Sequence, residues 1–214
     1  MTPNIHEAKK NALAAMGKAA TKGNRKAFGR AQAHYLKSCD PREERDVNAW
    51  VWELIKVAEN PSIGLLGAAK LAKRMYLYAP SNTRVRDTAQ TLHFDYALFA
   101  MNDAATKGDG RAFGEAQWYY LSSCDPYNKS YTHAWAKIIT TVLEKKTLDP
   151  AFVKEQVKKM QVFSMDNHIS YAFDQKATEL LSRFTVIVTY TSPDSAPARP
   201  EGKSAAVSKR TPRP

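Results

Sequence analysis

The 214-residue chain is poor in the residues that staple, chelate or cross a membrane. It has two cysteines, Cys39 and Cys124, a poor disulfide framework. They suit a reducing compartment, where a thiol acts as a small buried apolar group. The five histidines (His6, His34, His93, His133 and His168) show neither HExxH nor Cys/His spacing, so no metal site is written in the sequence. Gly64 and Gly67 in "SIGLLGAAK" lack the rest of a Walker or dinucleotide pattern and sit inside an apolar helical run. No stretch approaches the roughly 20 apolar residues of a membrane span. The opening "MTPNIHEAKKNALAAM" is too charged for a signal peptide. We therefore expect a cytoplasmic protein that needs no membrane, metal or cofactor.

What is present is ordinary globular material, 43% hydrophobic and 25% charged. A compact chain of this length can bury roughly 70% of its unfolded surface, enough to hold itself together without staples. The net charge of +11 is unevenly placed. Residues 1–91 carry 16 basic residues against 8 acidic, residues 92–187 carry 11 against 11, and residues 188–214 carry 5 against 2.

The chain also repeats itself. "AATKGNRKAFGRAQAHYLKSCDP" (19–41) returns as "AATKGDGRAFGEAQWYYLSSCDP" (104–126), 85 residues on, with 16 of 23 positions identical and no gap. Before the shared Gly lies "HEAKKNALAAMGKAATKG", rich in strong helix formers. Gly23 can end that helix in the left-handed conformation and Asn24 can cap the next, as can Gly108 and Asp109. Phe28, Ala31 and Tyr35 then fall on one helical face, repeated by Phe113, Ala116 and Tyr120. Gly29 and Gly114 each cost about 1 kcal/mol in a helix relative to Ala, which suggests a tight helix crossing at each.

In "SCDP", Asp40, Pro41 and Glu43 are spaced as a capping box for a third helix, with Asp125 and Pro126 keeping the cap and Asn128 replacing the Glu. Trp50 and Trp135, Met75 and Met160, and Asn82 and Asn167 extend the correspondence to about four helices. "ATELLSRFTV" falls where a third unit would begin and reads as a capping helix. "FTVIVTYT" suits either a frayed helix end or a short extended segment. From Ser192 the chain is Pro-, Ser- and Ala-rich and reads as disordered.

The expected fold is all-α. Two tandem four-helix repeats of period 85 (1–91 and 92–187, the second including the capping helix) stack as an α-solenoid-like domain, followed by a basic tail (188–214). The helix–Gly–turn–helix with interleaved Ala resembles tetratricopeptide-type and other α-solenoid repeats in kind. Its period is about 42 per helical pair rather than 34, and the aromatic and Pro spacings of that family do not align. The resemblance implies a helical-repeat binding surface and assigns no residues.

Three sets of residues are candidates for function. Cys39 with His34 could form a thiol dyad, but Cys124 pairs with Tyr119 in the second copy, which makes the Cys structural. Lys18, Lys22, Arg25, Lys26, Arg30, Arg42 and Arg45 form the basic set. Against them the second copy has Asp103 for Lys18, Gly110 for Arg25, Glu115 for Arg30, Tyr127 for Arg42 and Ser130 for Arg45. This pattern fits either charges drifting on a solvated surface or a site for an anionic partner, to which Arg199, Lys203, Lys209, Arg210 and Arg213 of the tail would add. Trp118 and Tyr119 replace Ala33 and His34, either filling a cavity or forming an aromatic anchor. The expected function is a non-enzymatic module that binds another protein, with nucleic-acid binding as the alternative. The sequence leaves the oligomeric state open.

Overall fold

The computed structural model describes residues 5–121, 129–166 and 171–190. Among them run nine α-helices and no strand: α1 (Ile5–Thr21), α2 (Arg25–Ser38), α3 (Glu44–Glu59), α4 (Gly64–Tyr78), α5 (Arg84–Lys107), α6 (Gly110–Leu121), α7 (Lys129–Lys145), α8 (Pro150–Asp166) and α9 (Tyr171–Tyr190). "FTVIVTY" is therefore helical, the end of α9. Cys124, Asp125, Pro126, Tyr127, Asn128, Asn167 and His168 lie outside the described residues, as do the tail and its Arg199, Lys203, Lys209, Arg210 and Arg213.

The local turn chemistry explains where α1 and α2 part. Gly23 has φ +64°, and its N–H bonds back to the Ala20 carbonyl at 3.0 Å. Asn24 then caps α2, its side-chain oxygen accepting from the Ala27 N–H at 2.9 Å. Gly108 (φ +70°) and Asp109 do the same between α5 and α6, the Asp109 carboxylate accepting from Ala112 N–H at 2.9 Å.

The start of α3 departs from the expected capping box. The helix begins at Glu44, capped by Glu43 without a side-chain bond. Asp40 is occupied elsewhere. Its carboxylate accepts from the Arg42 N–H at 3.0 Å, an Asx turn, and its own N–H donates to Asp46 Oδ2 at 2.8 Å. Asp46 is in turn held by Lys9 Nζ of α1 at 2.8 Å, and the Pro41 carbonyl accepts from the Val85 N–H at 3.1 Å. These bonds commit residues 40–43 to a turn and draw the first turn of α3 onto α1.

The helices form two rows. The odd-numbered helices touch in order from α1 to α9 and the even-numbered in order from α2 to α8, while neighbours such as α1/α2, α4/α5 and α8/α9 join the rows. Between them lies one apolar core. Met16, Phe28, Tyr35, Trp50, Leu54 and Met75 are buried in it, and so are Met101, Phe113, Tyr120, Trp135, Ile139 and Met160, each 85 positions later.

A buried polar bracket ties the rows together. Gln32 of α2 donates through Nε2 to the Leu71 carbonyl of α4 (3.0 Å), and its Oε1 accepts from Trp50 Nε1 of α3 (3.3 Å). Gln117 of α6 donates to the Gln156 carbonyl of α8 (3.1 Å) and accepts from Trp135 Nε1 of α7 (3.2 Å). Tyr35 and Tyr120 add a second tie, their hydroxyls donating to the carbonyls of Asp46 (2.7 Å) and Tyr131 (2.8 Å).

Of the two helix glycines, only Gly114 departs from the sequence expectation of a tight crossing. At Gly29 a Cβ would lie 2.9 Å from an Arg74 guanidinium nitrogen and 3.4 Å from Leu71 Cδ2, so α2 does cross α4 closely there. At Gly114 a Cβ would meet nothing nearer than Gln156 Oε1 at 3.5 Å, an ordinary contact. Gly114→Ala should therefore raise stability by about 0.5–1 kcal/mol, because Ala loses less entropy in a helix. Gly23→Ala should lower it by at least about 1 kcal/mol, since its Cβ would be left-handed and 2.7 Å from Ser62 Cβ. Urea denaturation of the two variants checks both signs.

Candidate functional site

The basic residues singled out from the sequence are exposed, but they do not form one cluster. Lys18, Lys22, Arg25 and Lys26 gather about the α1–α2 turn, and Arg30 lies about one turn further along α2. Arg42 and Arg45 lie beyond the other end of α2, whose 14 residues span about 20 Å.

Unopposed basic charge is concentrated instead on two helices of the even row. α2 carries Arg25, Lys26, Arg30 and Lys37 and no acidic residue, and α4 carries Lys70, Lys73 and Arg74 and again none. The odd-numbered α3 between them carries Glu44, Asp46, Glu53 and Glu59 against Arg45 and Lys56. Ion pairs neutralise much of the odd row, through Lys9–Asp46, Lys56–Glu53, Arg84–Glu44 and Lys107–Asp103. Among the described residues no carboxylate pairs with Arg25, Lys26, Arg30, Lys37 or Arg74. Lys70, Lys73 and Arg74 were missed by counting charge along the chain; the signal was the absence of Asp and Glu from two helices that the fold sets side by side.

Trp118 and Tyr119 have separate fates. Trp118 is 58% exposed and so fills no cavity, whereas Tyr119 packs half-buried against the core. Their rings meet edge-on at 5.1 Å. The neighbouring α4 lays its cations over them, Lys73 Nζ at 5.4 Å from the Trp118 ring centroid and 5.5 Å from that of Tyr119, Lys70 Nζ at 5.0 Å from Tyr119. Lys70 also pairs with Glu115 of α6. Burial lowers the Lys73 pKa from its ordinary value.

Beneath this cluster lies His93 of α5, almost fully buried. Its Nδ1 is 3.0 Å from the Ala69 carbonyl of α4, and it also hydrogen-bonds the Tyr119 backbone of α6. Burial pushes its pKa down to about 4, with Lys73 adding to the shift and the two backbone bonds opposing it.

Three open grooves of similar size cross the surface. One, of about 500 Å3, runs between α1 and α2 and includes His34 and Lys37. A second, of about 460 Å3, lies where α3, α4, α5 and α6 meet. The third, also about 460 Å3, separates α6 from α8 and sets Trp118 beside Leu121 and Phe152, with Lys159 at its edge. Of the three it alone is lined by an exposed Trp, and Arg111, Glu115 and Lys159 line it too.

The thiol candidate has different surroundings. Cys39 lies at the C-cap of α2, half-buried, with Sγ directed at the Leu36 carbonyl (3.8 Å). Burial, then the nearby Asp46 carboxylate, raise its pKa to about 11, which keeps the thiol protonated at neutral pH. His34 is exposed. Among the described residues no three His, Cys, Asp or Glu side chains gather as metal ligands, and no helix is long and apolar enough to cross a membrane. No family model matches the chain, and neither does a curated protein or a solved structure.

The depressed His93 pKa has a consequence for stability. Between about pH 6.5 and 4 the unfolded chain binds a proton at this site that the native protein does not. Its contribution is therefore fully present above pH 6.5 and lost as the pH falls toward 4, on the order of 3 kcal/mol in all. Urea midpoints at pH 7 and pH 4.5 should fall less for His93→Gln than for the wild-type chain; an equal fall would contradict the assignment.

Proposed function

We propose that the chain is a non-enzymatic interaction module. Two tandem four-helix repeats, closed by α9, stack as a solenoid-like domain and offer the outer face of α2, α4, α6 and α8 to another protein. The repeat reading is supported by the recurrence, at a spacing of 85, of the Gly turns, the Asn24 and Asp109 caps, the buried aromatics and the Gln–Trp brackets. Stacked repeats bury their inner faces against their neighbours and leave long outer surfaces for recognition.

One observation supports the binding face: its exposed apolar side chains stand beside cations that meet no carboxylate among the described residues, whereas the exposed Ile5, Trp52 and Phe99 of the odd row stand on helices that also carry acid. Leu77 and Val162, 85 residues apart, are 60% and 56% exposed, and Trp118 lies on the helix between theirs. Such exposed anchors in a polar rim are typical of protein interfaces.

Nucleic acid is the second reading, favoured by the absence of acid from α2 and α4. The two readings separate by salt and by adduct. Protein carrying p-benzoylphenylalanine at position 118 or 33 should give nuclease-resistant protein adducts on illumination in its native cells, and none from position 48 on α3. Nuclease-sensitive adducts, with DNA or RNA binding that falls steeply with salt, would instead establish the nucleic-acid reading.

A further inference from the structure

The chemistry of the even face specifies its partner further. Taking the protein-binding reading as its premise, we infer that this face binds an extended, acidic peptide segment that carries one bulky apolar side chain. The acidic part lies across α2 and α4, and the apolar side chain enters the groove between α6 and α8 beside Trp118.

Charge complementarity carries the acidic part. Arg30 and Arg74 are exposed, meet no carboxylate among the described residues, and lie on adjacent helices whose own sequences hold no acid. Carboxylates of a partner would meet guanidinium groups there that no carboxylate of the described residues pairs, Arg74 lying over the Tyr78 ring at 5.7 Å, and such planar groups bind carboxylates in a fixed two-pronged geometry. An acidic partner is also steered toward such a face before it touches it.

The groove carries the apolar part. Its floor is Phe152 and Leu121, its wall is Trp118, and Gly110 and Gly114 leave it open because neither has a side chain. In the first half of the chain the matching seam is occupied: the Arg74 guanidinium covers Gly29, and the Arg25 stem lies 3.8 Å from where a Cβ on Gly67 would be. One end of the face thus carries cations, and the other is an open groove with Trp118, Leu121 and Phe152 in it and Arg111, Glu115 and Lys159 beside them. The occupant must have the same polarity, acidic at one end and apolar at the other.

Its length follows from the helices. Adjacent packed helices lie about 8–10 Å apart, so α2 to α8 spans about 24–30 Å. An extended segment of about eight or nine residues covers that distance at roughly 3.3 Å each. Stacked nucleobases fit less well. Lys73 lies over the Trp118 and Tyr119 rings and Lys70 over Tyr119, so a base stacking on that side of either ring would have to displace an ammonium group.

The test uses the full chain and three fluorescent probes. The first is a peptide of about 12 residues rich in Glu and Asp with one Trp near its end, the second is the same peptide with Ser for that Trp, and the third is an oligothymidine of about 20 nucleotides. Arg30→Glu with Arg74→Glu should weaken the Trp peptide about tenfold or more. Lys10→Glu with Lys137→Glu on the odd row changes the net charge equally and should leave the affinity within about twofold. Trp118→Ala should erase the preference for the Trp peptide over the Ser peptide while the chain stays folded.

Equal losses in the two charge-reversed variants would overturn the proposal, leaving only net charge. So would tighter binding of the oligothymidine, which makes the face a nucleic-acid surface, or no binding of the Trp peptide at low salt. If the peptide fails while position 118 still gives nuclease-resistant adducts, the protein-binding reading stands and only this partner chemistry falls; loss of both removes the reading itself.

Discussion

A buried side-chain amide is costly unless both its ends are bonded, and Gln32 satisfies that condition only where three helices meet. Its donor end needs the Leu71 carbonyl of α4, and its acceptor end needs the Trp50 indole of α3. The Leu71 carbonyl thus takes a bond from α2 besides the one from its own helix, and Trp50 can sit wholly in the core without an orphaned N–H. Shifting α4 along α2 by one residue would break this end of the bracket and leave the buried Gln32 amide nitrogen without its acceptor. The contact therefore fixes the register of the even row and, with it, the position of every cation that α2 and α4 carry. Gln117, Trp135 and the Gln156 carbonyl impose the same condition on α6, α7 and α8.

Much of the fold was legible because its causes are local. A Gly followed by Asn or Asp decides its own turn, and Phe28, Ala31 and Tyr35 declare a buried face by spacing alone. The start of α3 was misread because Asp40 is a good cap in isolation, yet here the buried carboxylate of Asp46, six residues on, takes its N–H and stabilises a turn instead. Gln32 and Gln117 were passed over although the residue is identical in both copies. A polar residue held between buried aromatic positions is a signal of a satisfied internal bond, but its partners on α3 and α4 are 18 and 39 positions away.

The basic surface was only half legible, for a related reason. Charge counted along the chain assigns the excess to the first 91 residues, and that count is correct. The fold then deals successive helices to opposite rows, so neighbours in sequence become strangers on the surface. Lys70, Lys73 and Arg74 join α2 and the aromatic pair of α6, while Arg42 and Arg45 are carried to the far end of α2. Trp118, read as a packing residue or an anchor, is exposed because its helix turns that position outward beside the groove to α8.

The account rests on the bracket acting as one unit in each half of the chain. A double-mutant cycle of Gln32→Met with Trp50→Phe, mirrored by Gln117→Met with Trp135→Phe and read by urea denaturation, measures this directly. Coupling of about 0.5–3 kcal/mol in both cycles is predicted, because removing either partner already orphans the other. Additive losses in either cycle would mean that the amide and the indole act independently and that the rows are held in register by apolar packing alone.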